Sequence, residues 1–244
     1  MINITRTEIV PESLQSADIQ AYIEAITSWK ENPIGVKPEP TPAYRNSDVL
    51  DAFEDCFYSK CYLTEQRFET PYMMDIEHFY PKNEFPEKRY EWSNLYPAEH
   101  NANMAKPNKM PEGGYLDPCD ENDDVEKEIL YRLDFDAQTT YFEPLNPSNQ
   151  KAKNTAELLD RIHNGHDKNS REKAKEIKIA LFKKRDRINS AIMSLQKAKL
   201  NQNQEDEFQF RKKLQTLLSR KSSYTFLMRS TSAVRIHLGV EFFD

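Results

Sequence analysis

The stretch Asp75-Ile76-Glu77-His78-Phe79-Tyr80-Pro81-Lys82 decides how the chain is read. Met74 and Ile76 alternate with Asp75 and Glu77 and lead into Pro81, the pattern of a short strand running into a loop. Within it an acid precedes a histidine. That pair sets a hard-cation ligand beside a general base. Neighbouring strand residues face opposite ways, so a strand end or a bulge is needed to bring Glu77 and His78 to one substrate. Downstream, Trp92-Ser93-Asn94-Leu95 places an amide just before an apolar residue, where it can bridge the loop and orient the histidine ring. Asn103 follows Glu99 and His100 on an expected short helix that folds back onto the strands. Its side-chain carbonyl is a hard oxygen donor suited to magnesium.

The order of acid-His with Pro three residues on, then Asn-Leu, then Asn-x-x-Lys resembles the ββα-metal site of HNH endonucleases, over about 45 residues from Cys61 to Lys106. The resemblance implies that His78 is the general base, that Glu77 and Asn103 hold Mg2+ or Mn2+, that Asn94 orients the histidine and that Lys106 touches phosphate. Taken singly, each has an ordinary reading: Asn94 as a helix cap, Asn103 as an exposed helix residue, Lys106 as a solvated charge. A wider likeness runs through Ile76 to Lys82, Trp92 to Leu95 and Leu116-Asp117-Pro118-Cys119. It resembles the HNH subunit of Septu-type anti-phage systems and their retron-associated relatives. That likeness implies a nuclease working beside an ATPase of the SMC/ABC type, with DNA as the expected substrate and RNA as the alternative.

Many HNH proteins of this group hold a structural zinc with two CxxC pairs. Here Cys61 matches the first ligand, but Thr64, Glu99 and Ala102 stand at the other three positions. One thiolate cannot make a tetrahedral site, so no structural zinc is expected and packing must hold the motif.

The 244 residues allow one large domain or two small ones, and 38% hydrophobic with 30% charged content describes a soluble globular chain rich in charge. No apolar run approaches the roughly 18 residues of a membrane span, and the first residues lack the pattern of a secretory signal. Three widely spaced cysteines, Cys56, Cys61 and Cys119, suit reduced thiols and a cytoplasmic location. The net charge of −6 argues against a nucleic-acid partner until its distribution is considered. Asp167 to Lys221 carries 16 Lys/Arg against seven Asp/Glu, a balance of +9, leaving −15 for the remainder. Such asymmetry suits a phosphate backbone on one lobe and a basic partner on the other, or simply a helical lobe displaying solvated lysines.

The expected fold class is α+β, mainly helical, with a small ββα-metal core and a C-terminal helical hairpin. Residues 1–60 read as a helical segment with a proline-rich connector. Asp18 is placed to cap a helix bearing Ile19, Tyr22, Ile23, Ile26 and Trp29. Pro33, Pro38, Pro40 and Pro42 then interrupt regular structure. Asn46 or Ser47 caps a second helix that ends near Lys60 and delivers Cys61-Tyr62-Leu63 as the first strand of the motif, which occupies 61–110.

Residues 111–146 read as loop and hairpin. Asp120 to Asp124 form a solvated acidic loop, and Tyr131, Leu133 and Phe135 alternate ahead of Tyr141 and Phe142. Residues 147–244 are the basic helical region. One helix there carries Leu158, Leu159 and Ile162 and ends at Gly165, and a long one carries Ala174, Ile177, Leu181, Ile188, Ile192 and Leu195. A further helix carries Phe208, Phe210, Leu214, Leu217 and Leu218. His163 and His166 read as turn or cap residues, and the apolar tail is expected to pack on the domain or on another chain. A competing functional reading, motivated by the lost zinc positions, is a helical adaptor that binds without cutting.

Overall fold

Two four-residue strands and the short helix after them carry the stretch that opens the sequence reading. A computed structural model describes residues 1–244 except 41, 42, 135, 136 and 138, so Pro42 and Phe135 lie outside the described residues. The fold is mixed α+β, 53% helical, with two small antiparallel sheets.

Helix α1 spans Ala17–Glu31 and α2 spans Ser47–Phe57. Ser16, not Asp18, caps α1, its side chain accepting from the Ile19 N–H, while Asp18 sits one residue inside the first turn. Asn46 stands at the start of α2 without a side-chain capping bond. Tyr58 and Ser59 both adopt the left-handed region (φ 56° and 54°), so the helix stops and the chain reverses. Cys61 to Leu63 is therefore not the expected first strand. It belongs to a turn closed by Glu65 N donating to Cys61 O, with a single bridge between Lys60 and Arg67. The first strand is β1, Asp75–His78, and it pairs antiparallel with β2, Leu95–Ala98, in the register Asp75↔Ala98 to His78↔Leu95. Helix α3, His100–Ala105, follows at once, with Glu99 as its cap.

The one-turn helix α4 (Val125–Glu128) leads into strands β3 (Ile129–Asp134) and β4 (Thr139–Pro144), which form the hairpin with Tyr131 opposite Phe142. The acidic run before it is exposed from Asp120 to Asn122, as expected of a solvated loop, and departs from that at its last two residues. Asp123 is buried, accepts from Lys151 Nζ at 2.8 Å and from the Asp117 N–H, and Asp124 caps α4.

Helix α5 runs Gln150–Asn164 and stops at Gly165, whose φ of 71° suits a residue without a side chain. The 33-residue α6 (Lys168–Leu200) and α7 (Gln204–Leu218) pack as the helical hairpin. Leu214, Leu217 and Leu218 face its core, whereas Phe208 faces solvent. Helices α8 (Thr225–Arg229) and α9 (Ser232–His237) and the final turn pack against the same body, and Phe242 is buried. His163 is not a turn residue: it is buried on α5 with its ring tilted over Phe142 at 4.9 Å. His166 does sit in the turn, paired with Asp167 at 3.0 Å.

One apolar core draws on every segment from α1 to the final turn. A buried charge cluster reinforces it where the turn after α2 meets the C-terminal helices. Glu65 accepts from the first N–H groups of α8, at Thr225 and Phe226, and pairs with Lys60, while Lys184 of α6 donates to Ser222 Oγ. No helix among the described residues is long and apolar enough to cross a membrane.

Candidate active site

Strand β1 ends at His78, and this resolves the geometric difficulty of an adjacent acid and base. Phe79 N still donates to Asn94 O in the register of the strand pair, and the chain then turns away through Tyr80 and Pro81, so that Glu77 and His78 both line one cleft. The cleft has a volume of about 260 Å³ and is also lined by Lys82, Asn103 and Lys106. The structure thus brings four of the five expected site residues together. Asn94 lies behind them.

His78 is buried, and its Nε2 is 3.0 Å from the carbonyl oxygen of Arg89. A carbonyl only accepts, so that contact assigns the ring proton to Nε2 and leaves Nδ1 as the lone pair. Burial, followed by the nearby charge of Lys82, pushes the imidazole down to about 4. It is therefore neutral near pH 7, the form a base needs. Tyr44 sets the ring's tilt by an edge contact, with centroids 5.0 Å apart.

Asn94, 1% exposed, is a loop staple. Its Oδ1 accepts from Tyr80 N at 2.6 Å, and its Nδ2 donates to Tyr80 O and Lys88 O at 3.1 and 2.9 Å. It does not touch the His78 ring. It fixes the loop whose next residue, Arg89, supplies the carbonyl that does.

Glu77 and Lys106 form a buried ion pair at 2.5 Å, with side chains 6% and 3% exposed. The second Glu77 oxygen accepts from Tyr62 OH at 2.7 Å, and burial together with the carboxylate pushes that phenol well above its usual range. Lys106 spends its other two protons on the carbonyls of His78 and Phe79, at 3.0 and 2.8 Å. All three are engaged inside the protein, so none is left for a phosphate oxygen in this arrangement.

Asn103, on α3, donates Nδ2 to Asp75 Oδ2 at 3.0 Å, and His100 Nδ1 lies at the same distance from that oxygen. This bond directs the amide and leaves the Asn103 carbonyl oxygen as an acceptor with no partner among the described residues, its lone pairs open to a ligand. Glu77 and Asn103 both bring hard oxygen atoms to one cleft, a type that would suit Mg2+, which keeps several waters and takes few protein ligands. The ammonium of Lys106 already neutralises the carboxylate, so a cation would have to share or displace that charge. Among the described residues no cluster of three or more His, Cys, Asp or Glu is placed to hold a metal.

Sequence reasoning missed Asp75, Tyr62, Tyr44 and the Arg89 carbonyl. Asp75 was accessible, because residues two apart on a strand share a face and Asp75 is two before Glu77. The other three come from distant or irregular segments that carry no periodic signal. At the would-be zinc position, Cys61 is buried, its Sγ accepts from Thr64 N at 3.4 Å, and burial pushes its thiol up. No family model matches the chain, and no curated protein or solved structure matches it either.

Proposed function

We propose that this chain is a metal-dependent endonuclease of the HNH type that hydrolyses nucleic-acid phosphodiesters, DNA ahead of RNA. The observation that carries the reading is one cleft lined by a neutral histidine and two hard oxygen ligands, on an antiparallel strand pair followed by a short helix. In this reading β1, β2 and α3 are the ββα-metal core. His78 Nδ1 takes the proton of the attacking water, and the bond from Nε2 to Arg89 O holds the ring and stabilises the positive charge it gains. Glu77 and Asn103 would hold Mg2+ or Mn2+, which when bound supplies positive charge to the phosphorane and the leaving oxygen. Asn94 keeps the loop, and through it the ring, in place. Lys106 is assigned to setting the Glu77 carboxylate.

The likeness in the flanking residues extends the proposal to a cytoplasmic effector of anti-phage defence, restrained or triggered by an SMC/ABC-type ATPase. The decisive assay incubates parent and His78→Ala proteins, alone and co-purified with such an ATPase, with plasmid DNA and total tRNA in Mg2+ or Mn2+. Histidine-dependent cutting is expected, and equal cutting by His78→Ala overturns the assignment. An adaptor that binds without cutting is the second reading. The Glu77–Lys106 pair favours it, since it satisfies the carboxylate without a metal. Mn2+ binding that is lost in Glu77→Gln would remove that reading.

A further inference from the structure

A second pocket, of about 420 Å³, adjoins the cleft and shares Ile76, Lys82 and Asn103 with it. Its wall is formed by Tyr44, Arg45 and Arg89, with Asp75 at the side nearest Asn103. Three cations therefore face one carboxylate. That carboxylate is already engaged, because Asp75 Oδ2 takes both the Asn103 amide and His100.

Among the described residues, Arg45, Lys82 and Arg89 form no ion pair with any carboxylate, although Lys30 pairs with Glu87 and Lys88 with Glu91. Arg45 is held by carbonyl groups, donating to Met74 O at 2.5 Å and to Pro71 O and Tyr72 O at 3.0 and 3.3 Å. Lys82 makes one long contact, 3.4 Å to Tyr44 OH, and lies 5.7 Å from that ring. Arg89 lies over the same ring at 5.4 Å. Tyr44 thus holds the two half-buried cations side by side, and carbonyl groups fix the third, without neutralising any of them. Like charges kept together and partly out of water are held at a cost that an anion relieves.

We propose that this pocket is a phosphate subsite for the nucleic-acid strand as it leaves the cleft, with Lys82 and Arg89 as its contacts and Arg45 as a fixed background charge. The proposal rests on the nuclease reading for its substrate. Two features select a polynucleotide backbone over free phosphate. The pocket shares Ile76, Lys82 and Asn103 with the cleft, so the two lie within reach of one strand. The turn that Arg45 anchors also carries Tyr72 with 86% exposure, an open aromatic face for a neighbouring base.

The test separates binding from cutting. In the His78→Ala background without metal, labelled single-stranded and duplex oligonucleotides are titrated by fluorescence anisotropy over a range of salt. Lys82→Gln is expected to weaken binding about ten-fold at low salt and to reduce the slope of log affinity against log salt by about 0.7–0.9, the signature of one lost phosphate contact. Lys82→Arg should keep both, and Lys127→Gln, an exposed lysine on α4, should change neither. With the histidine restored, Lys82→Gln should raise KM. Affinity and salt slope unchanged in both Lys82→Gln and Arg89→Gln, with histidine-dependent cutting intact, would overturn the subsite and leave the nuclease. Lys82-dependent oligonucleotide binding by a protein that never cuts would leave the subsite and remove the nuclease. Binding of inorganic phosphate with none of any oligonucleotide would overturn the polynucleotide as occupant.

Discussion

Lys106 Nζ lies 2.5 Å from Glu77 Oε1, with both side chains almost wholly out of solvent. The carboxylate that the HNH reading gives to a metal is thus charge-paired within the fold. The pair links the end of α3 to the end of strand β1, and the two carbonyl groups after Glu77 accept from the same ammonium.

Removing one partner strands the other. Lys106→Met is expected to destabilise the fold by about 3–5 kcal/mol, because it leaves a buried carboxylate unpaired, whereas Lys106→Met with Glu77→Gln should recover most of the loss. Urea unfolding of the single and double variants measures the difference. Equal destabilisation in both would show that the lysine stem, and not its charge, holds the site.

The same pairing makes a prediction for metal. In folded Lys106→Met the Glu77 carboxylate lacks its internal cation, so Mn2+ should bind at least about ten-fold more tightly than to the parent. Electron paramagnetic resonance titration of free Mn2+ reads this directly. An unchanged affinity would place any cation away from Glu77.

Asn94 cannot be replaced by a residue that only accepts. Asn94→Ala abandons one N–H and two carbonyl groups in a buried loop and should cost about 3 kcal/mol. Asn94→Asp retains the bond from Tyr80 N but turns a carboxylate toward two carbonyl groups, and should be no better. Thermal melts test both, and a near-parent Asp variant would deny the two donated bonds their weight.

Stability should fall in acid through the two buried histidines. Burial pushes His163 down to about 3, and burial with Lys82 pushes His78 to about 4, so below pH 6.5 the unfolded chain binds protons that the folded chain refuses. Stability is therefore highest above pH 6.5 and declines toward pH 4, by about 1.4 kcal/mol per pH unit for each histidine. His163→Leu should remove one such increment from the slope. Urea unfolding at a series of pH values checks it, and an unaltered slope would mean that His163 is not neutral in the folded state.

Gly165 joins α5 to α6 where a side chain does not fit. At its positive φ, an added Cβ would stand 2.4 Å from the Arg171 backbone nitrogen. Gly165→Ala should cost about 1–3 kcal/mol, a loss readable as a lowered Tm, while Gly114→Ala meets no neighbouring atoms and should cost less.

The helical hairpin and β3–β4 were legible because their apolar spacing is regular over many residues. Asn103 was placed on its helix by its position just past Glu99 and His100. The error at Cys61 to Leu63 arose because three apolar residues resemble a buried strand, while the two left-handed residues before them, Tyr58 and Ser59, are not glycine and give no warning. The cap of α1 was read two residues late, because Asp18 is as good a capping residue as Ser16. The fate of Lys106 was beyond sequence, since a lysine at the end of a helix reads as solvated until the carbonyl groups of another strand are seen around it.

The cleft's own bonds join residues close in the chain: Tyr62 to Glu77 across 15 positions, Tyr80 to Asn94 across 14, Glu77 to Lys106 across 29. Each closes a modest loop, so little chain entropy stands between a collapsed segment and an ordered site. The Lys60–Glu65–Lys184 cluster, by contrast, reaches across more than half the sequence to α6 and α8. In time rather than space, the site can take shape early in folding and the helical hairpin can dock on it afterwards, so that amide exchange would reveal the hairpin loosening before the cleft does.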